Sequence, residues 1–157
     1  MELKADKKYG ALSGEAISNF LKTAIIPMRL SLVSPKGPMI VALWFQFSGQ
    51  EIRCCSPKDS LVVRSLQTIS EIAFDISSNE IPYVGVRGRG KAELTQLGAA
   101  EQLDKLIEKY VYDPNHPLPT WLRKRAAQES MITITPTWLH GWDFSSRMEG
   151  LTSESSQ

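Results

Sequence analysis

MIVALWFQFSGQEIRCCSPKDSLVVRSLQ, residues 39–67, decides how this chain is read. Met39 to Phe47 is almost wholly apolar, which predicts a central strand covered on both faces. Ser48-Gly49 supplies a turn, and Gln50 to Cys55 returns as a shorter strand. Ser56-Pro57-Lys58-Asp59 then carries three helix-start features: a capping serine, a proline suited to the first helical position, and an acid where a reciprocal cap would stand. The helix that follows keeps Leu61, Val62, Leu66 and Ile69 for burial. A helix start offers free N–H groups and the positive end of the helix dipole, so an anion could dock there with help from Ser56, Lys58, Ser60 and Arg64. Equally, Ser56 merely caps and Lys58 is solvated. The local sequence leaves both open.

Upstream, Ser13 is an N-cap for a short helix whose Ile17, Phe20 and Leu21 mark one buried face. Arg29 to Ser34 alternates as a half-buried strand, and Ser34-Pro35-Lys36-Gly37-Pro38 has hairpin turn chemistry. Downstream, Ile72 to Ile76 and Tyr83 to Leu94 read as strands. Gln96 to Tyr110 is the clearest amphipathic helix, and Trp121 to Glu129 is a candidate second one. Met131 to Thr135 and Trp138 to Phe144 read as two strands about a break at Pro136. Six or seven strands with hairpin links, and helices inserted late, predict a mainly β antiparallel barrel with peripheral helices rather than an alternating βαβ sheet.

The length of 157 residues fits one domain, read as 1–150, followed by a flexible polar tail over 151–157. A formal net charge of +1 argues against a dedicated nucleic-acid binder. The only cysteines, Cys54 and Cys55, are adjacent and should face opposite sides of a strand, so they make a poor disulfide. A reducing cytoplasm is the expected compartment. The first residues lack the apolar core of a signal peptide, and no apolar run approaches a membrane span. His116 and His140 lack a partner at metal-ligand spacing, so a structural or solvent role is expected for both and no metal site is predicted. GVRGRG, residues 85–90, precedes Lys91-Ala92-Glu93-Leu94 in strand-like context rather than opening a helix, which sets aside a dinucleotide fingerprint. Arg87, Arg89 and Lys91 share one strand face. They grip an acidic ligand or partner, or they guard a glycine-rich strand against wrong pairing.

PMRLSLVSPKGPMIVALWFQFSGQEIRCCSPKDSLVVRSLQ (27–67), GVRGRGKAEL (85–94) and ITITPTWLHGWDF (132–144) together resemble the pyridoxamine 5'-phosphate oxidase-like, FMN-binding split-barrel family. The resemblance lies in their order and spacing and covers nearly the whole chain. It implies a six-stranded antiparallel split β-barrel that works as a homodimer, with FMN as cofactor, or a deazaflavin instead. It places Leu43, Trp44 and Phe45 on the strand that lines the flavin ring. Ser56 falls on the family's Ser/Thr at the strand end, and Ser60 on the serine of its Ser-Xaa-Lys phosphate motif. With Cys55, Lys58, Arg64, Arg87 and Arg89 these make up the expected cofactor-binding residues. Val62 stands where that motif has its lysine, and Ile40 and Phe45 stand where the oxidase branch carries cations. The C-terminal arginine motif that binds substrate in true pyridoxamine oxidases is missing. The implied function is a flavin-dependent oxidoreductase of unknown substrate, with no catalytic residue singled out. The alternative is a non-catalytic protein on the same fold that binds a flavin or another anionic ligand.

Overall fold

The computed structural model describes residues 11–152. Its helices and strands follow one another along the chain as α1 (Gly14–Thr23), β1 (Met28–Ser34), β2 (Gly37–Leu43), β3 (Gln46–Phe47), β4 (Ile52–Pro57), α2 (Leu61–Thr68), β5 (Glu71–Ser77), β6 (Val84–Thr95), α3 (Ala99–Tyr110), α4 (Leu118–Arg123), a 3₁₀ turn (Ala126–Gln128), β7 (Glu129–Asp143) and α5 (Ser145–Thr152). The strands form one antiparallel sheet in the order β2-β1-β5-β6-β7-β4-β3. The sheet has seven strands and is not closed, so the six-stranded barrel is corrected to an open seven-stranded sheet with peripheral helices.

β2 and β3 stand at opposite edges of this sheet, yet only Trp44 and Phe45 separate them in sequence. Three residue steps span at most about 11 Å. The sheet therefore has to curl until its two edges nearly meet, and β2 indeed touches β4. Inside the curl lies the core: Ile17 and Leu21 of α1, Met28, Leu30 and Leu32 of β1, Ile52, Ile76, Ile132 and Ile134, all essentially inaccessible. α1 is fixed at its start by Ser13, whose Oγ accepts from the Ala16 N–H at 3.2 Å.

Several sequence expectations change here. The apolar run Met39 to Phe47 is not a central strand: β2 is an edge strand, and the run breaks before β3. Its residues alternate between half-buried and exposed, with Ile40 70% exposed. An apolar run marks a strand that needs cover on both faces, but it does not say whether the cover lies within the same chain. The helix after Cys55 starts at Ser60, not Ser56. Ser56 and Pro57 belong to β4, which keeps pairing with β7 through Pro57↔Glu129. Trp121 to Glu129 is not one helix, because α4 ends at Arg123 and a separate 3₁₀ turn precedes β7. α5 runs to Thr152, two residues into the expected tail, and residues 153–157 lie outside those described.

The two closing strands are one. β7 runs through Pro136 without interruption, and its register with β6 shifts between Arg89 and Gly90, so that Thr137 has no opposite residue. That bulge reverses the strand's parity: Ile132, Ile134 and Pro136 face inward before it, Leu139 and Gly141 after it. Trp138, His140 and Trp142 consequently all face outward and stack in a row, with centroids 6.0 and 6.4 Å apart. No described helix is long and apolar enough to cross a membrane.

Candidate functional site

Where the edges of the curled sheet approach, they leave a cavity of about 350 Å³. Ala42, Leu43 and Trp44 form one wall, Cys55 and Pro57 of β4 a second, and Leu103 and Leu106 of α3 a third. α4 closes it with Leu118, Trp121 and Leu122, and Arg125 and Glu129 complete the lining. The i, i+3, i+4 spacing of those three α4 residues puts them on one face. None of α4's residues is buried, because that apolar face looks into the cavity rather than into packed protein. An exposed ion pair of Arg123 with Asp104 (2.8 Å) ties α4 to α3, and pairs of this kind contribute about 1 kcal/mol at most.

The Trp44–Phe45 link is clasped by the C-terminus of α3. Trp44 stacks on Tyr110 with centroids 5.1 Å apart and rings 5° from parallel. The Tyr110 hydroxyl accepts from the Phe45 N–H at 3.3 Å, and its single proton serves Ile26 O (3.2 Å) or Phe45 O (3.4 Å). Lys109 Nζ donates to Phe45 O at 2.8 Å and lies 4.2 Å from the Phe45 ring centroid. Burial lowers the Lys109 amine to about 8 and raises the Tyr110 phenol to about 12. The clasp orients Trp44 toward the cavity.

Electrostatically the cavity favours neutral groups. Burial raises the Glu129 carboxyl above its ordinary range, and Arg125 opposes the rise. Burial, and then the nearby Glu129, push the Cys55 thiol up to about 12 from an ordinary 9. The reactive species is the thiolate, so at pH 8 its population is about a thousandfold below that of an unperturbed thiol. Alkylation of Cys55 by iodoacetamide is therefore expected to run about a thousandfold slower in the native protein than in the denatured chain. The native rate should climb tenfold per pH unit up to about pH 11. Peptide mass spectrometry of time points measures both, and a native rate equal to the denatured one would refute the buried, protonated thiol.

No family model and no curated protein matches the chain. Solved structures do. A conserved hypothetical protein from Mycobacterium tuberculosis superposes with a TM-score of 0.72 at 18% identity, covering 91% of this chain and 90% of the other. An F420 reductase superposes at 0.64 with 21% identity over 76% of this chain and 92% of that one. A FAD-binding protein from Mesorhizobium loti gives 0.64 at 15% identity over 85% and 96%. The chain has the pyridoxamine 5'-phosphate oxidase-like fold.

Within the oxidase-like fold, the expected site residues fall into separate places. Leu43, Trp44 and Cys55 meet in the seam cavity. Phe45 does not: it is fully buried in the core. Ser56 and Ser60 are spent on each other, with 2.9 Å between their hydroxyls, and Ser60 also caps Val63 N–H at 3.1 Å. Lys58 lines a second, polar cleft with Asp59, Gln67, Thr95, Gln96 and Ser130, and its N–H donates to Gln128 O at 2.7 Å. Arg64 is exposed on α2. Val62, at the position of the motif lysine, is 8% exposed and part of the core, so an ammonium there would be carried into apolar surroundings. Arg87 and Arg89 lie on the outward sheet face, over the rings of Trp142 (5.1 Å) and Trp138 (5.3 Å). His140 is the middle of that aromatic row, and His116 Nδ1 accepts from the Leu118 N–H at the start of α4. Among the described residues no cluster of His, Cys, Asp and Glu could hold a metal ion.

Sequence reasoning missed the α3–α4 half of the cavity, and with it Trp121, Arg125 and Glu129. Leu118, Trp121 and Leu122 carried a signal, an apolar face on a helix too short to have a core of its own. Glu129 carried none, because only the pairing of β4 with β7 brings it beside Cys55.

Proposed function

We propose that the chain binds a flavin-type cofactor with its ring in the seam cavity and serves as an oxidoreductase in a homodimer. The carrying observation is the cavity itself: an apolar slot of about 350 Å³ lined by Trp44 and Trp121, within the range of about 300–1,000 Å³ typical of ligand sites. Leu43, Trp44 and Cys55, which the resemblance assigns to the cofactor, are part of its lining. An F420 reductase and a FAD-binding protein with the same fold support a flavin or deazaflavin, and the resemblance favours FMN. When bound, the cofactor supplies the hydride chemistry. The chain's own contribution would be to hold the ring among leucines and tryptophans, exclude water, and present Arg125 and Glu129 as the polar groups. The homodimer is supported by exposed apolar residues on the outward sheet face, Val33 and Ile40 on the edge pair β1–β2 and Trp138 on the interior strand β7, which are 39%, 70% and 45% exposed.

Titration with FMN, FAD and F420, followed by quenching of tryptophan fluorescence and by the visible band of the bound cofactor, tests the reading. Trp121 is half exposed, so Trp121→Ala should leave folding intact while weakening binding about tenfold, the upper range of one aromatic contact. Failure of all three cofactors to bind would end the proposal. Bleaching of the bound band by a reduced nicotinamide would separate an enzyme from a protein that holds the cofactor without turnover. Light scattering at micromolar concentration tests the dimer, and a monomer of 17.5 kDa would remove it.

A further inference from the structure

Residues 112–125, which run from the end of α3 through α4 to the 3₁₀ turn, are tied to the rest of the fold mainly at their two ends. Their backbone hydrogen bonds stay local: Trp121 N–H donates to Pro117 O, Lys124 N–H to Thr120 O and Arg125 N–H to Leu122 O. The next backbone bond to another element lies beyond them, where Lys58 N–H donates to Gln128 O at 2.7 Å. Among the described residues, the one side-chain hydrogen bond or ion pair that leaves the segment joins Arg123 to Asp104 of α3, and both partners are half exposed.

Packing holds the segment no more firmly. Leu118, Trp121 and Leu122 turn one apolar face to the seam slot, yet none of them is buried, and Trp121 is 53% exposed. An apolar face fixes an element in proportion to the area it takes from water. Here the facing wall of Leu43 and Trp44 stands across a cavity of about 350 Å³, so the face has little to rest on until the gap is filled. Trp44 is held differently, stacked on Tyr110 within the clasp. One wall of the slot is therefore fixed and the other is loose.

We propose that residues 112–125 form a flap that swings as a unit over the seam slot, tied by Arg123–Asp104, and that the ligand of the slot holds it shut by completing the packing of α4. Segments that gate a site are drawn from the least stable parts of a fold and move in microseconds to milliseconds. No sheet bond has to break for this motion. Closure on the ligand rests on the assignment of the slot under the proposed function, and the motion itself does not.

The test is fluorine NMR of the full chain labelled with 5-fluorotryptophan, one signal for each of its four tryptophans, assigned by single Trp→Phe variants. Trp121 should show relaxation dispersion while Trp138 and Trp142, on the sheet, stay flat. Asp104→Asn cuts the tie and should raise the open population, by about fivefold at most for an exposed pair. Asp104→Arg combined with Arg123→Asp should restore it, and about 0.5 M salt should mimic Asp104→Asn by screening. Fraying of a short helix would also move Trp121, and exposed Thr120 separates the two causes. Thr120→Gly should fray about fivefold more than Thr120→Ala, whereas a flap moving as a unit gives equal dispersion in both. A flat Trp121, indifference to Asp104, or dispersion that follows the Gly–Ala difference would overturn the flap. Saturating FMN should suppress the dispersion, and dispersion that persists with FMN bound would overturn closure while sparing the cofactor reading. FMN that does not bind would sink closure together with that reading, and the moving Trp121 would still sustain the flap.

Discussion

Gly90→Ala is expected to cost about 3 kcal/mol of folding stability, lowering the thermal midpoint by about 6–12 °C for a chain of this size. Gly90 sits in β6 opposite Pro136, at the register shift that leaves Thr137 unpaired. A Cβ there would lie 2.5 Å from Thr135 O and 3.1 Å from both Thr135 C and Pro136 Cα. All three are backbone atoms of β7, so no side-chain rotation relieves the clash. Relief would have to come from moving β7 away from β6 along the longest pairing in the sheet. Overpacking costs about 1–3 kcal/mol, and a rigid obstacle places this case at the upper end. Gly37→Ala is the comparison: its Cβ meets nothing within 4 Å, but φ is +113°, so only backbone strain opposes it. About 1–2 kcal/mol is expected there. Urea unfolding of both variants decides. A Gly90→Ala protein within about 0.5 kcal/mol of wild type would mean that the bulge yields freely, which the ladder geometry denies.

Phe45→Ala is expected to be at least as damaging, at about 3–5 kcal/mol, and to spare ligand binding in the fraction that remains folded. The ring is fully buried in the core cluster and does not line the seam cavity. Lys109 and Tyr110 hold Phe45 through its backbone N–H and carbonyl, which alanine keeps. Trp44 therefore stays oriented in the variant, and the loss is that of buried apolar volume plus the contact with the Lys109 ammonium. Unfolding curves and cofactor titration of the same preparation separate the two quantities. Unchanged stability with abolished binding would return Phe45 to the ring site that the resemblance gives it.

The contrast between Phe45 and its neighbours shows which parts of this fold can be read from sequence. Local signals read true: the Ser13 cap, the β1–β2 hairpin at Pro35-Lys36, the strand identity of GVRGRG and the amphipathic α3 each depend on residues within one or two turns of one another. Position in the sheet did not read, because the apolar residues of β2 look the same whether they are covered by the chain or left exposed, as Ile40 is. Ser56 and Ser60 are equally good caps by type, and only the continued pairing of Pro57 with Glu129 decides for Ser60. At Pro136 the change of phase from inward Ile134 to inward Leu139 was present in the sequence. Proline is a common strand breaker, and that hid the one-residue bulge. Half of the cavity was legible, from Leu43 to Cys55. The other half depends on α4 and Glu129 meeting the segment from Leu43 to Cys55 across more than sixty residues of chain.

The two-residue link between β2 and β3 also has a mechanical consequence. A closed barrel resists changes of girth because widening it breaks backbone hydrogen bonds. Here the edges are brought together by connectivity and by the Tyr110–Lys109 clasp, with no ladder between β2 and β3. The gap can open or tighten by small rotations about Trp44 and Phe45 while every strand pair keeps its bonds. Because the cavity lies in that gap, ligands of different thickness can be accommodated by adjusting the girth of the sheet, at a cost in side-chain packing alone.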